Sequence, residues 1–282
     1  CGHEGTARAY ASSLRSMQRY LGKKDFPFIK LSSRIISDYQ GKLLASGICD
    51  NTIGFYLHNI KALFRKGCRE MGLELPCPFR DISIKTEKTL KRSLDPVVIK
   101  TLSAIELEKD SPLSLARDIF MFSFYTRGMS FVDIALLKKR HVFPGEICYR
   151  RHKTDQLMRV GINKEISRIL ERYKNVPGEY IFPLFPAERD PYAGYRSAYH
   201  RIRYSLGKIS RVIGLEFPLR LHAARHSWAT IAKVNGASVH VIGECLGHTS
   251  EKTTRIYLKE LDHSALDAVN NQVADFILAV DD

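Results

Sequence analysis

Apolar residues spaced three and four apart run through most of the chain and are interrupted by one proline-marked basic stretch. That pattern favours two mainly helical units joined by a linker. Between Thr6 and Leu21, Tyr10, Leu14, Met17 and Leu21 recur at helical spacing, with Arg8, Arg15 and Arg19 on the other faces. A second helix is expected from near Ser33 to near Gly47, carrying Ile35, Ile36, Tyr39 and Leu43. A third follows Asp50, read as its N-cap, and carries Ile53, Leu57, Ile60, Phe64 and Met71 toward Gly72. From Leu73 to Leu94 the period disappears; Pro76, Pro78, Lys85, Lys88, Lys91 and Arg92 describe an exposed basic linker.

Beyond it, Asp95 and Pro96 form a helix start, and Ser114 to Leu137 holds one or two helices. Short alternating runs from Cys148 to Val160, around Thr154 and Asp155, suit a β-hairpin, and helices resume at Lys164. The expected fold is mainly α with a small antiparallel β-sheet (α+β). Residues 1–80 form a helical unit, 81–94 the linker and 95–282 a second domain. A tail helix over 263–282 carries Leu266, Val269, Val273, Phe276 and Ile277 on one stripe.

Forty-four Lys and Arg against 30 Asp and Glu give a net charge of +14, which suits a partner dense in phosphate. The excess is densest early: residues 1–95 hold 17 basic and 9 acidic side chains. Lys61, Arg65, Lys66 and Arg69 give the third helix a basic face that is either solvated or set against DNA. Six cysteines without a CxxC pair argue against a zinc ribbon or a disulfide scaffold and fit a reducing cytoplasm. No apolar run reaches the roughly 18 residues of a membrane span, and no signal-peptide pattern opens the chain, so neither export nor embedding is expected. Because the chain opens on Cys1 rather than Met, a preceding DNA-binding domain is left open.

The chemistry concentrates in LHAARHSWAT and ECLGHTSEKTTRIYLK. His222 and Arg225, three apart, share a helix face and can address one ligand. His222 and His226 have the spacing of a zinc helix, but Ala223 stands where the glutamate of HExxH belongs, so no metal site is read here. The LGH ending at His248 lies 23 residues after Arg225, and Tyr257 follows His248 by 9. This order, HxxR, then LGH, then a tyrosine near the C-terminus, resembles the tyrosine recombinase or phage integrase family. The resemblance extends over nearly the whole chain. It makes the first unit a core DNA-binding domain and places Lys153, in RRHKTD, where the family's hairpin lysine lies.

One segment departs from the family. Where members carry TGLRxxE, this chain reads YTRGMSFVDIALLKK, so aligning Asp133 with the acidic residue puts Ser130 at the arginine position. Arg127, one helical turn earlier, is matched to the first catalytic arginine, and Arg151, two residues before Lys153 on a strand, is the alternative.

The resemblance implies a site-specific recombinase that cleaves and rejoins DNA through a 3′-phosphotyrosyl intermediate at Tyr257. A phenol with a pKa of about 10 needs a proton acceptor, for which His222 is the candidate. Arg127 and Arg225 would hold the phosphate charge, His248 would add a hydrogen bond, and Lys153 would protonate the leaving 5′ oxygen. No cofactor or metal is expected. The implied partners are double-stranded DNA, a tetramer of protomers on synapsed DNA with the tail docked in trans, and accessory DNA-bending proteins. A type IB topoisomerase or telomere resolvase shares much of this set, and Ser130 also admits a catalytically silent DNA-binding protein.

Overall fold

The computed structural model describes residues 4–23, 25–85, 87, 93–185, 191–248, 250–258 and 273, without the side chains of residues 191–193, 252, 256 and 257. The expected tail helix over 263–282 lies outside the described residues apart from residue 273, as do Lys88, Lys91 and Arg92 of the linker. The chain divides into two compact units, residues 1–89 and 90–282. The fold is mainly helical with one small antiparallel sheet. Among the described residues no helix is long and apolar enough to cross a membrane.

In the first unit, α1 (Glu4–Leu21), α2 (Ser33–Ala45) and α3 (Asp50–Glu70) enclose a core that includes Met17, Ile36, Ile53, Leu57 and Phe64. Tyr39 is fully buried, and its hydroxyl donates to Ser16 Oγ at 2.8 Å, which removes the penalty of an unsatisfied phenol. Ser13, also buried, accepts from Asn59 Nδ2 at 3.1 Å, so small hydroxyl residues let α1 lie close on α3. Ser32 caps α2 by accepting the Ile35 amide. The expected cap of α3 is displaced by one residue. Cys49 holds the extended cap conformation, and Asp50 is the first helical residue, where its carboxylate meets the positive end of the helix dipole.

Part of the stretch read as a linker is held against this unit. Gln40 donates to Ser83 O at 2.8 Å, Asn51 exchanges hydrogen bonds of 2.9 and 3.1 Å with the backbone of Glu87, and Ile84 sits against Gly54. At its far end Leu94 is buried in the second unit, with its amide donating to Ser227 Oγ at 2.7 Å.

The second unit is built around α5 (Pro112–Tyr125), whose Ala116, Ile119, Phe120 and Phe122 are completely buried. It is surrounded by α4 (Pro96–Ala104), α7 (Lys164–Arg172), α8 (Pro191–Val212) and α9 (Leu221–Val234). A helix enclosed in this way is apolar around most of its circumference, as IFMFSF is. Asp95 caps α4 with a 2.7 Å bond from the Val97 amide, and Pro96 fills the first helical position, where its missing N–H costs nothing. The sheet has the order β1 (Val142–Phe143), β2 (Glu146–Arg150), β3 (Leu157–Gly161). Ile147 faces Val160 and Tyr149 faces Met158, all four buried, which fixes the register of the hairpin.

Ser114 to Leu137 forms two helices, α5 and the short α6 (Phe131–Ala135). Arg127 and Gly128 between them have φ of +61° and +76°, and two successive left-handed residues end a helix. The expected single-turn relation between Arg127 and Ser130 therefore does not hold; Ser130 caps α6 instead.

Asp118, 4% exposed in the middle of α5, accepts from Arg117 Nε at 2.7 Å, Arg172 Nη1 at 2.8 Å and the Tyr173 hydroxyl at 2.9 Å. Removing the carboxylate strands a largely buried Arg117 and a buried phenol. Asp118→Ala is expected to lower unfolding free energy by about 3–5 kcal/mol, read as a shifted urea midpoint.

Candidate active site

Arg225 lies one turn into α9 and is 7% exposed, so its charge must be met inside the domain. Its Nη1 donates to Gly128 O at 2.9 Å; its Nη2 donates to Leu246 O at 2.6 Å and lies 3.2 Å from His248 Nε2. The RGM turn and the LGH turn are thus joined through one guanidinium. Gly128 has no room for a side chain, since a Cβ there would lie 2.5 Å from Arg225 Cγ.

The LGH segment closes α10 (Val239–Leu246). Gly247, φ +63°, is its left-handed cap, and a Cβ there would lie 2.9 Å from Met158 Sδ on the hairpin. His248 follows, its amide bonded to Gly243 O at 3.0 Å and its Nδ1 2.9 Å from Thr254 Oγ1. A guanidinium can only donate, so Nε2 of His248 accepts from Arg225, and Nδ1 carries the proton and donates to the buried Thr254. Burial first, then the charges of Arg225, Arg151 and Lys153, push the imidazole down to about 4, and it is neutral at pH 7.

Lys153 is exposed in the turn between β2 and β3. Arg151 and Lys153 were expected on one side of a strand, but β2 ends at Arg150, and both belong to the loop closed by Arg151 N to Gln156 O and Asp155 N to Arg151 O, each 2.8 Å. The Arg151 guanidinium is turned back onto the carbonyl of Gly247. Asp133, 5% exposed, joins this loop to α6. Its Oδ1 accepts the His152 amide at 2.7 Å and its Oδ2 the Ser130 hydroxyl at 2.5 Å.

The structure brings together Arg151, Lys153, Arg225 and His248. Arg127 is half-buried with Nη1 3.4 Å from Arg159 O, and its charge bears, with those of Arg151 and Arg225, on buried Tyr149. His222 stands exposed at the start of α9, its ring 4.4 Å from that of His226. The backbone of Tyr257 lies in α11 (Glu251–Leu258), between buried Thr254 and buried Leu258; its side chain is outside those described. The sequence reading missed Thr254 as the partner of His248 and the link from Asp133 to the hairpin. Ser130 and Asp133, three apart, carry the signature of a helix N-terminus, which was the available signal for the cap.

Cations converging around a neutral histidine, held by uncharged carbonyls, make a site for a phosphate ester. The comparisons specify the class. Residues 93–263 match the phage integrase family and residues 2–79 a phage integrase SAM-like domain. The chain is 26% identical over 226 residues to tyrosine recombinase XerC of Shewanella oneidensis, covering 77% of this chain and 70% of that one. It is 24% identical over 262 residues to tyrosine recombinase XerD of Pseudomonas putida, covering 90% and 86%. A lambda integrase(75–356) dimer bound to a COC′ core site superposes with a TM-score of 0.67, at 16% identity over 93% of this chain and 91% of that one. XerH site-specific recombinase bound to a palindromic difH substrate gives 0.68, at 17% over 93% and 78%. The chain belongs to the phage integrase family. It is a tyrosine site-specific recombinase, an enzyme that cuts and rejoins DNA strands; neither the topoisomerase-like nor the silent reading is favoured by these relatives.

The neutral state of His248 has a measurable consequence. The unfolded chain protonates this imidazole near 6.5 and the folded chain only near 4, so between those values the unfolded state binds the extra proton. The stability involved is complete above about pH 6.5 and is lost as pH falls toward 4, on the order of 1–3 kcal/mol. Urea unfolding of the full chain at pH 7.5 and pH 5 is expected to show this loss, and His248→Asn to reduce it.

Proposed function

We propose that Tyr257 is the nucleophile of DNA cleavage and that Arg225 and Arg151, rather than Arg127, clamp the scissile phosphate. The observation that carries this reading is the convergence of Arg225, Arg151 and Lys153 on His248. The Tyr257 oxygen attacks phosphorus and forms a 3′-phosphotyrosyl bond as the bond to the 5′ oxygen breaks. His222 takes the phenolic proton, and Lys153 on the hairpin turn gives a proton to the departing 5′ oxygen. The arginines hold the non-bridging oxygens. In the free protein His248 accepts from Arg225, so it donates to a phosphate oxygen only once protonated, a change that the negative charge of the incoming diester favours. The covalent link retains the energy of the broken bond, and a 5′ hydroxyl of a second duplex reverses the step.

The substrate is double-stranded DNA, met in the cytoplasm at the nucleoid, and no cofactor takes part. A nicked suicide substrate tests the assignments. Wild type is expected to give a denaturant-resistant protein–DNA adduct and Tyr257→Phe none. Arg151→Ala is expected to slow adduct formation at least about 100-fold and Arg127→Ala only a few-fold. The reverse ranking of the two arginines returns the role to Arg127.

The working assembly is a tetramer on synapsed DNA, assisted by accessory DNA-bending proteins, with the apolar stripe of residues 263–282 docked on a neighbouring protomer. Deleting residues 264–282 is expected to impair synapsis and recombination much more than DNA binding, measured by gel shift and by product formation. Normal recombination by the truncated protein excludes docking in trans.

A further inference from the structure

We infer that Ser130 is a positioning residue for cleavage, acting through Asp133 to fix the loop that presents Arg151 and Lys153. The inference rests on the reading that these two cations act on the scissile phosphate. The hydroxyl of Ser130 has two neighbours of unequal quality. Its oxygen faces the Asp133 amide at 3.5 Å, the limit of a hydrogen bond, whereas its O–H donates to Asp133 Oδ2 at 2.5 Å. The strong contact is with the carboxylate, and capping of α6 is the weaker function.

Asp133 is buried, so its carboxylate orientation depends on the few donors around it. With Oδ2 held by Ser130, Oδ1 is directed at the amide of His152, 2.7 Å away, the residue between Arg151 and Lys153. The remaining backbone bonds of the turn, from Arg151 to Gln156 O and from Asp155 to Arg151 O, lie within the hairpin and do not fix it to the domain. Asp133 and the Gly247 carbonyl provide that attachment, one on each side of the Arg151 side chain. The residue occupying the arginine position of the family motif thus works on a cation carried by another element.

Single-turnover cleavage of a suicide substrate tests this with Ser130→Ala, Ser130→Thr, Arg151→Ala and the Ser130→Ala/Arg151→Ala double variant. Ser130→Ala is expected to cleave about 10- to 100-fold more slowly with DNA affinity within about twofold, since small displacements of a catalytic group have effects of this size. Ser130→Thr, which keeps the donor, restores the rate to within a few-fold. The double variant is expected to be slower than Arg151→Ala by a much smaller factor than Ser130→Ala costs on its own, because the two changes share the placement of Arg151 and only that of Lys153 is left for Ser130 to affect. Should Ser130→Ala fail to fold, Ser130→Gly, which a helix N-cap tolerates and which also removes the hydroxyl donor, is expected to show the same rate loss. Wild-type rates for Ser130→Ala, or a fully multiplicative double variant, overturn the inference. If Arg151→Ala itself cleaves at the wild-type rate, the assignment of Arg151 fails separately, and the Ser130→Ala rate alone then decides this inference.

Discussion

The second unit depends on how a buried guanidinium is held. Arg225 is bonded to the carbonyls of Gly128 and Leu246, and Arg151 to that of Gly247. Carbonyls satisfy the N–H groups without cancelling the charge, whereas carboxylates in the same places would make a neutral structural ion pair. The fold supplies those carbonyls at and beside two left-handed glycines, Gly128 and Gly247; a Cβ at Gly128 would collide with Arg225, and one at Gly247 would press on the Met158 thioether. The break between α5 and α6, the end of α10 and the placement of the hairpin all follow from seating these arginines.

Neutral His248 fits the same arrangement. Beside three cations a protonated imidazole is unfavourable, and the neutral ring has one acceptor and one donor to place. The acceptor faces Arg225 and the donor faces Thr254 on α11, so the arginine cluster is bonded to the helix that carries Tyr257. Leu258, buried with Ile242 and Leu246, holds the end of that helix on α10.

Much of this was legible in the amino-acid order. Repeats such as Ile53, Leu57, Ile60 and Phe64 disclose a helix because burial on one face selects that spacing. The hairpin was legible because Ile147, Tyr149, Met158 and Val160 alternate with outward residues. The HxxR and LGH segments were legible as motifs. What sequence did not disclose depends on backbone direction or distant partners. Arg127 lies outside a helix because its own φ and that of Gly128 are positive, which spacing does not encode. Arg151 reaches Gly247 across 96 positions, and Asp133 reaches the His152 amide across 19, contacts that only the assembled sheet and helices create. Asp50 and Cys49 differ by one position because a good capping side chain does not by itself set where the first turn closes.

The seats of Arg225 and Arg151 are the carbonyls of Leu246 and Gly247, consecutive residues at one helix end. Two successive peptide units, hinged at Gly247, therefore set the spacing of the two guanidinium groups, although their side chains arrive from a helix and a hairpin far apart in sequence. The pocket thus has two walls: α10 offers both seats as one body, while the Gly128 carbonyl and the Asp133 link to the hairpin hold the same two arginines from the side of α6.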